Sequence, residues 1–158
     1  MKRLSNSRDR IDAVDIAILS ALASNARMSI ADLAREVGLS SPSTAERMKR
    51  LEESGIIRGY HADIDPAAVG LPLAVHIRIR PMPGQLQRLL TLLNKLDAIA
   101  ECHRVTGDDC FIATAHVPSV VEMEALIDRI IPFGSTNTAI IQSTPIARRV
   151  PAIGRDES

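Results

Sequence analysis

Residues 29–55 read SIADLAREVGLSSPSTAERMKRLEESG, and their punctuation divides them into two short helices. Ser29 supplies a side-chain oxygen of the kind that caps a helix start. Ile30, Leu33, Ala34 and Val37 then recur at i, i+3, i+4 and i+7, which is one apolar stripe. Gly38 stands where a left-handed cap ends that helix. Ser40 or Ser41 caps the next one, Pro42 sits in its first turn, and Gly55 closes it. Two short helices joined by so tight a Gly-containing turn match a helix-turn-helix, although a generic small helical bundle fits the same segments.

The second helix, roughly Ser41 to Ser54, separates these readings. At about 100° per residue, Ala45, Met48 and Leu51 fall together and are expected to face inward. Ser43, Glu46, Arg47 and Arg50 lie opposite, with Lys49 on the flank. Ser40, Ser41, Ser43 and Thr44 place hydroxyls near the helix N-terminus, where backbone N–H groups also suit phosphate oxygens. The arginines suit guanine edges or phosphates. A solvated face accounts for any one of these charges, and Glu46 with Arg50 makes an i,i+4 pair worth a few tenths of a kcal/mol. Taken as a set, Ser40, Ser41, Ser43, Thr44, Glu46, Arg47, Lys49 and Arg50 form the expected contact surface for double-stranded DNA.

On the N-terminal side, Asp12 can cap a helix running to about Ser24, with Ile11, Val14, Ile18 and Leu22 at three- and four-residue steps. On the C-terminal side, residues 56–66 (IIRGYHADIDP) read as a strand serving as wing and linker, with Ile56 closing the small core.

Composition limits the remaining possibilities. With 46% hydrophobic and 24% charged residues in 158, this is an ordinary soluble globular protein of one mid-sized or two small domains. Aromatics are only 2%, which argues against base stacking on single strands or RNA. The net charge is zero, with ten Lys/Arg against eight Asp/Glu in residues 1–60 and nine against eleven in 61–158. Electrostatic attraction to DNA must therefore come from a local cluster such as Arg47, Lys49 and Arg50. No apolar run approaches the ~18 residues of a membrane span, so no membrane partner is expected. The polar start Met1–Arg8 is no secretory signal, and the expected location is cytoplasmic. Cys102 and Cys110 are expected to be free thiols.

The second half changes period. Leu73, Val75, Ile77 and Ile79 alternate with Ala74, His76, Arg78 and Arg80, as in a half-buried strand. Leu86, Leu89, Leu90, Leu93 and Leu96 mark a helix, and residues 99–106 and 109–117 read as two strands turning at Gly107-Asp108. That hairpin sets Cys102 opposite about residue 113. A helix over about 119–131, striped by Val120, Met123, Ile127 and Ile130, precedes a last strand over 136–146. The order β-α-β-β-α-β is the ferredoxin-like pattern. The fold class is thus α+β: a winged helix-turn-helix domain (1–60), a linker (61–71) and a ferredoxin-like domain (72–158). Both helices fall on one sheet face, and a second subunit is expected to cover the other.

Four histidines (His61, His76, His103 and His116) lie in separate segments without metal-ligand spacing, and no Ser-His-Asp order or Gly-rich phosphate loop appears. His76 and His103 fall on expected strands and can share one sheet surface. No enzymatic activity, metal or cofactor is expected.

The run Arg10–Gly70 resembles the N-terminal half of the Lrp/AsnC, or feast/famine, family, in "IDAVDIAIL", "LAREVGLS", "ERMKRLEESGIIRGY" and "DPAAVG". "AECHRVTGDD" (100–109) is similar to that family's strand and Gly-Asp turn. The resemblance covers about residues 10–150. It implies a sequence-specific DNA-binding transcription regulator whose homodimers assemble to a higher oligomer, commonly an octamer, and which responds to an amino acid or related metabolite. It also implies an effector pocket at a subunit interface, involving Thr106, Gly107, Asp108, Asp109 and Thr138. There, backbone N–H groups would receive a carboxylate and an acidic side chain an ammonium. The family's usual Tyr and Asp after this turn are here Asp109 and Cys110, and Ser135 replaces the usual apolar residue after Gly134. Two alternatives share the fold: an effector-independent nucleoid-associated DNA-bending protein and a siroheme-decarboxylase-like enzyme.

Overall fold

The computed structural model describes residues 11–151 and 153, so the Met1–Arg8 stretch lies outside the described residues. The described residues divide into two compact units, one of 11–62 joined by 148–151 and 153, the other Asp63–Ala147.

In the first unit, α1 (Ala13–Ser24), α2 (Ile30–Val37) and α3 (Ser41–Glu53) follow the expected boundaries. The caps explain why. Asp12 accepts from the Asp15 backbone N–H at 2.8 Å, while the Asp15 side chain reaches back to the Asp12 N–H at 3.2 Å. This reciprocal pair satisfies two helix-end donors at once. Ser29 and Ser40 cap α2 and α3, and Gly38 takes φ +71° between them. Ile18, Ala21 and Leu22 of α1, Leu33 of α2 and Leu51 of α3 form the small core, with Met48, Ile56 and Ile57 against it.

The expected strand over 56–66 is not formed. The N–H groups of Ile56 and Ile57 both donate to the Leu51 carbonyl at 3.0 Å, finishing the end of α3 instead of starting a ladder. Among the described residues this segment has no strand partner, and an extended segment needs one.

The second unit runs β1 (Leu73–Pro81), α4 (Leu86–Leu93), β2 (Ile99–Arg104), β3 (Phe111–Val117), α5 (Val120–Ile130) and β4 (Gly134–Ile140). The sheet order is β2-β3-β1-β4, antiparallel throughout, as the ferredoxin-like pattern requires. Val75, Ile77 and Ile79 are buried and alternate with exposed His76, Arg78 and Arg80. Phe111, Ala113, Ala115 and Val117 extend the same buried face under Leu89, Leu93, Leu126 and Ile130. Cys102 stands opposite Ala113, and both cysteines are free.

Two details differ from the sequence reading. Leu126 rather than Val120 anchors α5, because Val120 begins the helix beyond the edge of the core and is 49% exposed. The last strand begins at Gly134 and ends at Ile140, where its pairing with β1 ends near Val75.

Gly134 is needed for space, not for backbone freedom, since its φ of −176° is ordinary extended geometry. A Cβ there would stand 2.6 Å from the Arg80 carbonyl oxygen and 3.1 Å from Pro81 Cα. Both obstacles are backbone atoms of the paired strand and cannot swing away. Gly134→Ala should therefore destabilise the protein by about 1–3 kcal/mol, as overpacking typically does, measured by urea unfolding.

Candidate DNA interface and effector turn

The phase of α3 is set by charge as well as by apolar packing. Asp15 is fully buried, and both its oxygens are claimed by arginines of α3: Oδ1 by Arg47 Nη1 at 2.9 Å and Oδ2 by Arg50 Nη2 at 2.6 Å. Arg47 Nη1 also donates to Asp12 Oδ2 at 2.7 Å. A buried carboxylate needs such partners, because an unpaired charge away from water is very costly. The backbone N–H of Asp15, helped by the Arg47 guanidinium, holds the Asp12 carboxyl below its usual range.

With this network in place α3 keeps most of its expected orientation and departs from it at Thr44, Ala45 and Arg47. Thr44 is buried and its hydroxyl donates to the Ser40 carbonyl at 3.0 Å, so the side chain is not available to a ligand. Ala45, expected inside, is exposed, while Met48 and Leu51 do face the core. Thr44 can take the inner position because its one polar group is satisfied locally, whereas exposing a single alanine methyl costs little. Ser40, Ser41, Ser43, Glu46 and Lys49 are exposed. Arg47 retains 27% side-chain exposure and Arg50 53%. The Glu46–Arg50 pair is not formed, since Arg50 turns to Asp15. Lys49 instead lies 3.7 Å from Glu53.

In the sequence Asp12 reads only as a cap, and Asp15 carries no expectation. A signal was present: Asp12 and Asp15 are one helical turn apart, as are Arg47 and Arg50, so two acids face two bases at matched spacing.

In the second unit the 106–109 turn connects β2 to β3. Val105 N–H donates to the Cys110 carbonyl at 2.9 Å, and Gly107 takes φ +107° with open space where a side chain would stand. Arg80 of β1, whose role the sequence does not show, donates through Nε to the Asp108 carbonyl at 2.7 Å and holds the turn. Thr106, Gly107, Asp108 and Asp109 are therefore brought together. Thr138 is not among them: it pairs with Ile77 midway along β4, with β1 and β3 between it and the turn.

His76 Nδ1 lies 3.2 Å from Thr114 Oγ1, and His103 Nε2 lies 3.5 Å from Glu101, both on the open sheet face. Among the described residues no group of three or more His, Cys, Asp or Glu could hold a metal ion. No described helix is long and apolar enough to cross a membrane.

These two units match known domains. Residues 11–58 match the winged helix-turn-helix DNA-binding family, which defines the first unit as a DNA-binding module. Residues 74–151 match the Lrp/AsnC ligand binding domain. The leucine-responsive regulatory protein of Haemophilus influenzae is 35% identical over 131 residues, covering 80% of this chain and 79% of its own. The chain belongs to the Lrp/AsnC family of DNA-binding transcription regulators. Its structure is similar to that of Bacillus subtilis LrpC, with a TM-score of 0.84 and 28% identity, over 88% of this chain and 99% of that one. A feast or famine regulatory protein from Mycobacterium tuberculosis, solved in complex with L-methionine, also gives a TM-score of 0.84 at 30% identity, over 90% of this chain and 99% of that one.

Just past α3, Tyr60 donates its hydroxyl to Glu52 Oε1 at 2.7 Å. Burial, then the bond to Glu52 and its negative charge, push this phenol from an ordinary value of 10 up to about 12. A raised folded-state value means the stabilisation is complete below pH 10 and is lost as pH rises towards 12. Tyr60 is the only tyrosine and there is no tryptophan, so phenolate absorbance reports it alone. Its titration midpoint should lie near 12 and fall in Glu52→Gln by the share that Glu52 contributes, with burial still holding it above 10.

Proposed function

We propose that this regulator binds double-stranded DNA through α3 of paired subunits and takes a small effector at the 106–109 turn. DNA binding belongs to residues 1–60, and effector binding and assembly belong to 72–158, with 61–71 as the connection. The carrying observation is the placement of Ser41, Ser43, Lys49 and the free edge of Arg50 on the exposed side of a helix whose phase Asp15 holds. The first-turn hydroxyls suit phosphate oxygens, and Lys49 and Arg50 suit phosphates and base edges. In a homodimer two such helices would enter successive major grooves about 34 Å apart. Dimers joined into an octamer would engage several turns and bend the duplex, so that deformability adds to sequence preference.

The effector reading rests on the ligand-binding family match and on the L-methionine complex of the mycobacterial relative. An amino acid's carboxylate would meet backbone N–H groups of the turn, and its ammonium Asp108 or Asp109. Arg80 keeps the turn in that form. Thr138 would join the pocket only from another subunit. Such a regulator acts in the cytoplasm, without an enzymatic step or a cofactor.

Titration calorimetry against the twenty amino acids tests the effector, with saturable heat from at least one expected. A null across all of them would favour an effector-independent DNA-bending role. Lys49→Ala should weaken binding roughly uniformly across sequences and lower the salt slope by about one, as loss of one phosphate contact does. Unchanged gel shifts would remove α3 as the DNA surface. Gly107→Asp places a side chain at a strongly disfavoured φ. It should abolish effector response or alter oligomer size in light scattering while leaving DNA binding by dimers intact.

A further inference from the structure

The recognition helix looks basic in sequence, with Arg47, Lys49 and Arg50 close together. In the fold two of those charges are already answered. Arg47 Nη1 is shared between Asp12 Oδ2 and Asp15 Oδ1, and Arg50 Nη2 is held by Asp15 Oδ2. The third, Lys49, faces Glu53. Counted as a cluster, Asp12, Asp15, Arg47 and Arg50 carry no net charge.

We propose that Asp12 is a specificity-determining residue, which acts through Arg47 to neutralise the recognition helix and so suppress binding to non-cognate duplex. The inference rests on α3 being the DNA surface and concerns how that surface discriminates. Affinity for any duplex grows with the number of phosphates neutralised, and this part carries no sequence information. A guanidinium fixed between two carboxylates contributes little to it. Arg47 cannot leave for a phosphate without stripping Asp15, a fully buried carboxylate, of one of its two arginine partners. Arg47 is therefore a positioning residue. Arg50, half exposed and fixed by one nitrogen, presents the rest of its guanidinium in a set direction. The network suppresses the indiscriminate electrostatic contribution while holding the groups that read sequence.

Asp12 is the member that can be changed without dismantling the unit. Its side chain is 51% exposed, unlike that of Asp15, and its structural duty is to cap α1. Asparagine caps a helix about as well as aspartate but carries no charge. Asp12→Asn thus removes one negative charge beside Arg47 and leaves the Asp15 bonds in place.

The test uses the full chain and fluorescence anisotropy on two duplexes of equal length, one from the protein's own promoter and one with the same composition scrambled, across about 50 to 200 mM salt. Asp12→Asn should bind the scrambled duplex about threefold to tenfold tighter at the low-salt end, with a salt slope steeper by up to about one. The ratio of promoter to scrambled affinity should fall accordingly. Asp97→Asn, the same charge change in the second unit, should alter neither. Loss of helix stability would weaken both duplexes, so tighter scrambled binding distinguishes a charge effect from damage to the fold. If Asp12→Asn fails to fold, Asp12→Ser keeps a capping side chain and carries the same expectation. Unchanged scrambled affinity and slope in the folded variant would overturn the proposal, as would an equal rise in Asp97→Asn. If the unsubstituted chain binds neither duplex, the DNA reading itself fails.

Discussion

The carboxylate of Asp15 is fully buried yet bonded by two arginines that lie more than thirty residues away in sequence. An isolated charge in such a place is very costly, so the first unit is stable with Asp15 buried because α3 presents Arg47 and Arg50 to α1. That requirement specifies more than apolar packing does. Leu51, Leu33 and Ile18 would tolerate some rotation of the helices, but two guanidinium groups meeting opposite oxygens of one carboxylate would not. The start of α1 joins the same constraint, because Asp12 and Asp15 also satisfy one another's backbone N–H groups. Helix capping, packing of α3 and presentation of the candidate DNA surface are thus one network.

The second unit relies on different physics. Alternation along β1 and β3 puts seven apolar side chains on one face, and α4 and α5 cover them. Such a sheet is specified by its period, because a slip of one residue would turn the whole apolar set outward. Its other face carries His76, Arg78, Arg80 and Thr114, with no covering layer among the described residues. The β2–β3 turn gains its fixed shape from Arg80, reaching from the adjacent β1. As in the first unit, an arginine distant in sequence holds a segment that its own residues leave underdetermined.

Local chemistry and repeat period made most of the architecture legible from sequence. Asp12, Ser29, Ser40 and Gly38 mark helix ends through interactions within three or four residues, and a linear reading can see those. The alternation of Val75, Ile77 and Ile79, the Gly107-Asp108 turn and the pairing of Cys102 with Ala113 are likewise short-range or follow from register. The two-domain plan followed from the change of period between the halves, whereas the Lrp/AsnC family was legible only as a resemblance in phrases such as "LAREVGLS" and "ERMKRLEESGIIRGY".

What only the tertiary structure decided is that Thr44 rather than Ala45 completes the inner side of α3, and what its arginines hold. Around one helix, Ala45 and Thr44 differ by about 100°, and hydrophobicity alone favoured the alanine inside. The reverse holds because Thr44 satisfies its hydroxyl on Ser40 and because Asp15 draws Arg47 and Arg50 towards α1. Residues 56–66 likewise had strand character in sequence but found no partner, as the end of α3 took up the N–H groups of Ile56 and Ile57. The sequence determined where elements begin and end, since caps and periods act between near neighbours. Facing and charge pairing depend on residues far apart in the chain, and these only the folded arrangement brings within bonding distance.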